Sequence, residues 1–309
     1  MSKICFIERD FQTGSQEMIQ RANEIITTYQ AGGYRLTLRQ LYYQFVSKNW
    51  LANTERNYKR LGSVLNDARY AGLVDWSAIE DRNRQPYHIS QFSGLESLAN
   101  AALSSYRLDR WEGQECFVEL WVEKAALAGV LQPLADAWHV TLMVNRGYSS
   151  ASAMFEAAMR LKDREGQYGI ILYLGDHDPS GEDMVRDVQD RLNCFGAGAT
   201  VQKVALTMDQ VQEYNPPPNP AKSTDSRFDA YQAEHGNQSW EVDALPPNVL
   251  EDLIHAAIRE RVSAHNMRKV ILQEEEDKAN FAKALDKATE GKSKVDKRYL
   301  KAARPPFSA

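Results

Sequence analysis

The sequence predicts an α/β protein: a helix-turn-helix domain, then a parallel-sheet domain, then a basic helical tail. Three observations carry that expectation. Apolar residues recur at helical spacing through the first 70 residues, and from residue 116 short apolar runs alternate with helical stretches. Charge is also divided unevenly. Residues 1–110 carry 14 Lys and Arg against 11 Asp and Glu, residues 111–255 carry 10 against 23, and residues 256–309 carry 13 against 8. An acidic centre with basic flanks admits two readings: a solvated acidic face, or a centre that holds a cation between segments that hold a polyanion.

Composition narrows the class. A chain of 309 residues, 43% hydrophobic and 26% charged, has the length of two ordinary domains or one large one and enough apolar content to fold. No run approaches 18 apolar residues, and the N-terminal stretch MSKICFIERDFQ has no apolar signal region, so neither a transmembrane helix nor export is expected. Cys5, Cys116 and Cys194 lie far apart and make neither a metal-ligand spacing nor an even disulfide set. A cytoplasmic protein with reduced thiols is the expectation.

Residues 15–30 read as a first helix, ended by Ala31-Gly32-Gly33. Thr37 is a good N-cap for a second, LRQLYYQFVSKN, and Thr54 for a third, ERNYKRLGSVLNDARYA, closed by Gly72. The break of a few residues between the second and third fits a helix-turn-helix. The third helix should bury Tyr58, Leu61, Leu65 and Ala68, leaving Arg56, Lys59, Arg60 and Arg69 as candidate DNA contacts, or as the charges of a plain solvated face. On the second helix, Leu38, Leu41, Tyr42 and Phe45 share the core face. Helical phase turns Tyr43 roughly opposite, beside Arg39, so Tyr43 is expected to face solvent.

Strands are expected at 116–122, 140–145, 169–175 and 199–206, with helices at about 124–138, 149–162 and 180–193, the alternation of a parallel sheet. A Pro-rich loop (215–226) and a strand-like WEVDALPP (240–247) precede a helix near Asn248, and the chain beyond about 262 reads as charged and helix-prone, ending in KSKVDKRYLKAARPP, a mobile basic tail. The domain boundaries expected are 1–110, 111–260 and 261–309.

Ligands of open parallel sheets bind beyond the carboxyl ends of the strands. There Glu123 follows the first strand, and Asp176 and Asp178 follow the third, in GDHDPSGED. Three carboxylates at one sheet mouth repel unless a hard cation lies among them, and Mg²⁺ suits such oxygens when a phosphate is the substrate. Glu241 and Asp243 bracket the later segment and are candidates to add to the acidic site. Glu182 and Asp183 read either as outer partners of a cation or as stabilisers of a helix start, and His177 either as a phosphate contact or as a spectator at a loop tip. Trp76, Trp111, Trp121, Trp138 and Trp240 read as core or interface residues rather than base-stacking platforms.

Glu123-Lys124 after a strand, Gly147 in NRGYSS after the next, and Asp176-His177-Asp178-Pro179-Ser180-Gly181 together resemble a Toprim domain, the metal-binding module of topoisomerases and related nucleases. The VEK and DxDPxG forms are most similar to the A subunit of topoisomerase VI and its meiotic double-strand-break relatives. That family sets a winged-helix domain with an Arg-x-x-Tyr-Tyr motif before its Toprim domain, and Arg39-Gln40-Leu41-Tyr42-Tyr43 stands in the corresponding place. The resemblance spans roughly residues 35–255.

What the resemblance implies is Mg²⁺- or Mn²⁺-dependent cleavage of double-stranded DNA. Tyr43 would attack a backbone phosphate to leave a covalent phosphotyrosine, Arg39 would ease ionisation of the phenol, Glu123, Asp176 and Asp178 would hold the metal, and Lys124 would contact DNA. It also implies a homodimer, in which the tyrosine of one chain meets the acids of the other, and a separate ATPase chain wherever strand passage is required. Two rival readings stay open: a hydrolytic Toprim endonuclease using metal-activated water, and a non-catalytic DNA-binding regulator or scaffold.

Overall fold

The computed structural model describes residues 3–32, 35–79, 89–145, 147–164, 166–288 and 295–302. Three helices open the chain: α1 (Thr13–Ala31), α2 (Leu38–Ser47) and α3 (Glu55–Tyr70). Thr37 caps α2 in a capping box with Gln40, and the Thr54 side chain accepts from the Asn57 N–H at the start of α3. Their apolar faces form one core that includes Ile19, Ile25, Leu41, Tyr42, Phe45, Leu61 and Leu65. Tyr58 packs against it only half-buried.

The turn between α2 and α3 is fastened by Tyr42. Its hydroxyl accepts the Thr54 N–H at 2.7 Å and lies 3.1 and 3.0 Å from the Ala52 and Thr54 carbonyls, one of which takes its proton. Ring contacts with Tyr58 complete the joint. Residues 80–88, which follow this domain's last bridge between Leu36 and Ile79, lie outside the described residues.

The second core is built on a four-stranded parallel sheet of order β2-β1-β3-β4, made of β1 (Cys116–Val122), β2 (Thr141–Val144), β3 (Tyr168–Leu174) and β4 (Ala199–Ala205). The two central strands, CFVELWV and YGIILYL, are almost wholly buried, as unbroken apolar runs in a helix-covered parallel sheet must be. Helices α5 (Ala128–Trp138), α6 (Ala151–Lys162), α7 (Pro179–Cys194) and α10 (Pro247–Arg259) flank it. Glu119, an acid inside β1, is satisfied by the Arg160 guanidinium (3.0 and 2.9 Å) and by the Trp121 indole N–H (2.9 Å). Trp111, Trp121, Trp138 and Trp240 are core residues, as expected. The elements not anticipated are short: α4 (Leu95–Ser105), α8 (Met208–Tyr214), α9 (Phe228–His235) and the small pair β5 (Asn219–Pro220) and β6 (Gln238–Ser239).

Three expectations are corrected here. The chain beyond 262 is helical up to residue 288, as expected, but it is packed against the body and is not a free tail. It forms α11 (Ala264–Ala288), which buries Met267, Ile271, Glu274, Lys278 and Ala282, because a buried Arg110–Glu274–Lys278 ion group and apolar contacts pin it down. Residues 295–302 return to the body, where the Asp296 N–H donates to Asn100; residues 289–294 and 303–309, with Lys292, Lys294 and Arg304, lie outside the described residues. Residues 240–244 make a bridge and a 3-10 turn (Val242–Ala244) rather than a strand. Arg69 does not extend from α3 into solvent. It stacks on Trp76 (4.5 Å) and donates to the Trp76 and Ile79 carbonyls, since those carbonyls have no helical partner and a guanidinium reaches both. Among the described residues no helix is long and apolar enough to cross a membrane.

Tyr42 serves as both core ring and turn fastener, so Tyr42→Ala should destabilise the protein by about 3–5 kcal/mol. Tyr42→Phe should cost about 1–3 kcal/mol through the orphaned Thr54 N–H. Chemical denaturation followed by helix circular dichroism measures both; a phenylalanine variant as unstable as the alanine one would mean that the ring contributes nothing.

Candidate functional site

The carboxyl ends of β1 and β3 place Glu123, Lys124 and Asp176 side by side. The Glu123 N–H donates to the Leu174 carbonyl, and Glu123 Oε2 accepts the Asp176 N–H at 3.2 Å. Asp178 caps α7: its Oδ1 accepts the Gly181 N–H (2.6 Å) and the Ser180 hydroxyl (2.9 Å). Gly181 is obligatory, because a side chain there would run into the Asp176 carbonyl. The DPSG segment therefore turns sharply from strand to helix, and this turn holds Asp176 at the sheet mouth.

A third segment closes over these ends. His177 and Trp240 exchange backbone hydrogen bonds at 2.8 and 2.9 Å, and the Val242 N–H donates to Asp176 Oδ1 at 2.8 Å. That register sets Glu241 and Asp243 opposite Lys124. Lys124 Nζ lies 2.9 Å from Asp176 Oδ2, 2.8 Å from Glu241 Oε2 and 3.0 Å from Asp243 Oδ1. From α2, Arg39 Nε donates to Asp243 Oδ2 at 3.0 Å, and Arg39 Nη2 donates to Glu241 Oε2 and, at 3.2 Å, to the Tyr43 hydroxyl. The Tyr43 hydroxyl donates to Glu241 Oε2 as well. One network thus runs from the helical core to the sheet acids within a single chain.

Tyr43 departs from expectation in a specific way. Helical phase correctly separates it from the apolar core and sets it beside Arg39. It is nonetheless only 5% exposed, because the 240–244 segment covers it. Burial raises its proton affinity well above that of an ordinary phenol, and Asp243 and Glu241 add to this; Arg39 opposes them and loses. Arg39 does favour ionisation, as expected, but burial and the two carboxylates outweigh it in this arrangement.

The acids are driven in opposite directions. Burial raises Asp176 to about 7 against the pull of Lys124, with Glu123 and Asp243 pushing the same way as burial. Burial likewise raises Glu123, with Asp178 adding to it. For Glu241 burial is overcome by Lys124 and Arg39, which bring it down to about 2. Burial works against the charge of Lys124, but Asp243, Asp176 and Glu241 outweigh it and hold the ammonium protonated.

The other candidates separate clearly. Arg56, Lys59 and Arg60 are exposed along α3, with Lys59 paired to Glu55 at 2.7 Å. Lys124 is turned inward onto three carboxylates instead of outward. His177 is no loop-tip residue: it is buried against Tyr231, His235 and Trp240, its Nδ1 2.8 Å from the Tyr231 hydroxyl. Glu182 takes the Lys203 ammonium at 2.5 Å, and Asp183 takes Tyr148, Arg186 and Arg227.

Hard oxygens with raised proton affinity, as at Glu123 and Asp176, suit a divalent cation in chemistry. In this arrangement Asp176 spends both oxygens on Val242 and Lys124, and Asp178 Oδ1 is taken by the start of α7. Among the described residues no three His, Cys, Asp or Glu side chains are grouped to hold a metal ion. A metal would require Asp176 to turn away from Lys124.

Two outcomes follow. Tyr43→Phe should cost about 1–3 kcal/mol in denaturation, since it removes a buried hydrogen bond to a charged group; an unchanged midpoint would return Tyr43 to solvent. The folded Asp176 carboxyl, at about 7, sits above its unfolded value of about 3.9. The stability that its proton contributes is full below about 4 and is lost as pH rises through about 7. The melting temperature of Asp176→Asn, relative to the parent, should therefore climb between pH 5 and pH 8. A flat or falling difference would contradict the raised pKa.

Compared with known proteins, the chain matches no family model, no curated protein and no solved structure. The functional reading accordingly rests on the geometry of this chain.

Proposed function

We propose that the chain cleaves double-stranded DNA through a Toprim-like sheet domain and a winged-helix-like helical domain, with Tyr43 as nucleophile. One observation carries this reading. The Tyr43 hydroxyl and Arg39, both on α2, share a continuous hydrogen-bonded network with acids at the carboxyl ends of β1 and β3. A phenol, a guanidinium and a set of carboxylates are the parts that phosphodiester transesterification uses. The Tyr43 phenol gives up its proton as its oxygen forms a bond to phosphorus, the bond from phosphorus to one deoxyribose oxygen breaks, and the departing alkoxide takes up a proton in turn.

Glu123, Asp176 and Asp178 are the residues that would hold Mg²⁺ or Mn²⁺. When bound, the ion would neutralise charge on a phosphoryl oxygen. Arg56, Lys59 and Arg60 on α3 would contact the duplex. A homodimer would let the tyrosine of one chain serve the acids of another, although Tyr43 already reaches Glu241 of its own chain. Strand passage would need a separate ATPase chain.

The raised proton affinity of the buried Tyr43 favours a second reading, a hydrolytic nuclease in which metal-activated water replaces the phenol. Supercoiled DNA incubated with Mg²⁺, then divided into protease-treated and untreated halves, separates the two. The proposal expects protein covalently attached to DNA ends, lost in Tyr43→Phe and in Asp176→Asn. Free ends made equally by Tyr43→Phe would favour hydrolysis. Duplex binding with no cut under any divalent ion would leave a DNA-binding regulator.

A further inference from the structure

Three donors converge on a single oxygen of Glu241. Oε2 accepts from Lys124 Nζ at 2.8 Å, from Arg39 Nη2 and from the Tyr43 hydroxyl. Two cations and a hydroxyl aimed at one anionic oxygen make the donor set that binds a phosphate oxygen. The neighbouring Asp243 bridges the same two cations, Arg39 through Oδ2 and Lys124 through Oδ1. The two acids differ in freedom. The Asp243 side chain is 0% exposed and fixed, whereas that of Glu241 is 24% exposed at the rim, beside an Arg39 side chain that is 44% exposed. Glu241 is thus the acid at the rim, its Oε1 held, among the described residues, only by the Asn219 amide at 3.5 Å.

We propose that the Glu241 carboxylate is an internal placeholder for a backbone phosphate of nucleic acid. It occupies the oxyanion position between Arg39, Lys124 and Tyr43, and an incoming phosphodiester displaces it. The exchange is like for like. Each donor trades a carboxylate oxygen for a phosphate oxygen, Glu241 swings into solvent, and no covalent bond changes. Asp243 stays behind and keeps the two cations together. The assignment rests on the reading of this network as a nucleic-acid site, and it adds the residue that keeps the site closed before the duplex arrives.

Binding without chemistry tests it. Fluorescence anisotropy with a 20-base-pair duplex in EDTA should show Glu241→Ala binding about tenfold more tightly than the parent at low salt. Adding Arg39→Ala to Glu241→Ala should remove the gain, and Glu241→Gln should show part of it. As a control for plain loss of negative charge, Glu213→Ala, an exposed acid on α8, should change affinity by less than about threefold. The proposal is overturned by Glu241→Ala binding no tighter than the parent, by a gain that survives Arg39→Ala, or by an equal gain in Glu213→Ala. Should Glu241→Ala melt far below the parent, Glu241→Gln bears the test, and an affinity equal to the parent's overturns the assignment. Cutting by the parent is scored separately with Mg²⁺. A parent that never cuts would leave the placeholder result standing, and a failed binding test would leave an observed covalent adduct standing.

Discussion

An ammonium taken out of water must be repaid by anions at contact distance, and Lys124 has three of them. Asp176 comes from the end of β3, and Glu241 and Asp243 come from a segment 65 or more residues further along. Holding Lys124 charged fixes the 240–244 segment across the sheet mouth, and that segment in turn covers Tyr43 and receives Arg39. The position of the helical half against the sheet half is thus tied to one buried cation. Removing a single partner from such a group leaves an uncompensated charge, which is why these side chains act as a unit.

Much of the fold was legible because its signals are local. Thr37 with Gln40 and Thr54 with Asn57 cap their helices as the residue types dictate, and the four strands fall within a residue or two of the apolar runs that announce them. That Glu123 and Asp176 would be neighbours was legible for the same reason, since strand ends of a parallel sheet share one edge, whereas Asp178 is spent on capping α7. What the residues could not reveal is which groups neutralise which. Helical phase places Tyr43 away from the apolar core, but nothing in LRQLYYQF says that Glu241, some 200 positions later, will cover it. Arg69 and Lys124 look like free cations in the sequence. Each turns inward because long-range packing offers it carbonyls or carboxylates that no local pattern announces. The end of the chain misled in a similar way: α11 is charged throughout, yet one face carries Met267, Ile271 and a buried Glu274–Lys278 pair.

The opposed shifts at Asp176 and Glu241 describe a site that is unevenly neutralised. Lys124 and Arg39 favour the later segment, so Glu241 is firmly ionised while Asp176 and Glu123 remain short of positive charge. The shortfall of positive charge lies on the sheet side, at Asp176 and Glu123.

The two apolar cores have no residue in common, and the described hydrogen bonds and ion pairs that join them run through Arg39, Tyr43 and Asn53. Parting a seam of that composition exposes charged and polar groups more than hydrocarbon. Exposure of apolar surface raises heat capacity and exposure of polar surface lowers it, so the two contributions would largely cancel. The equilibrium between closed and parted halves would then have little curvature with temperature while responding steeply to ionic strength. Such a joint is set by the electrolyte around it more than by heat.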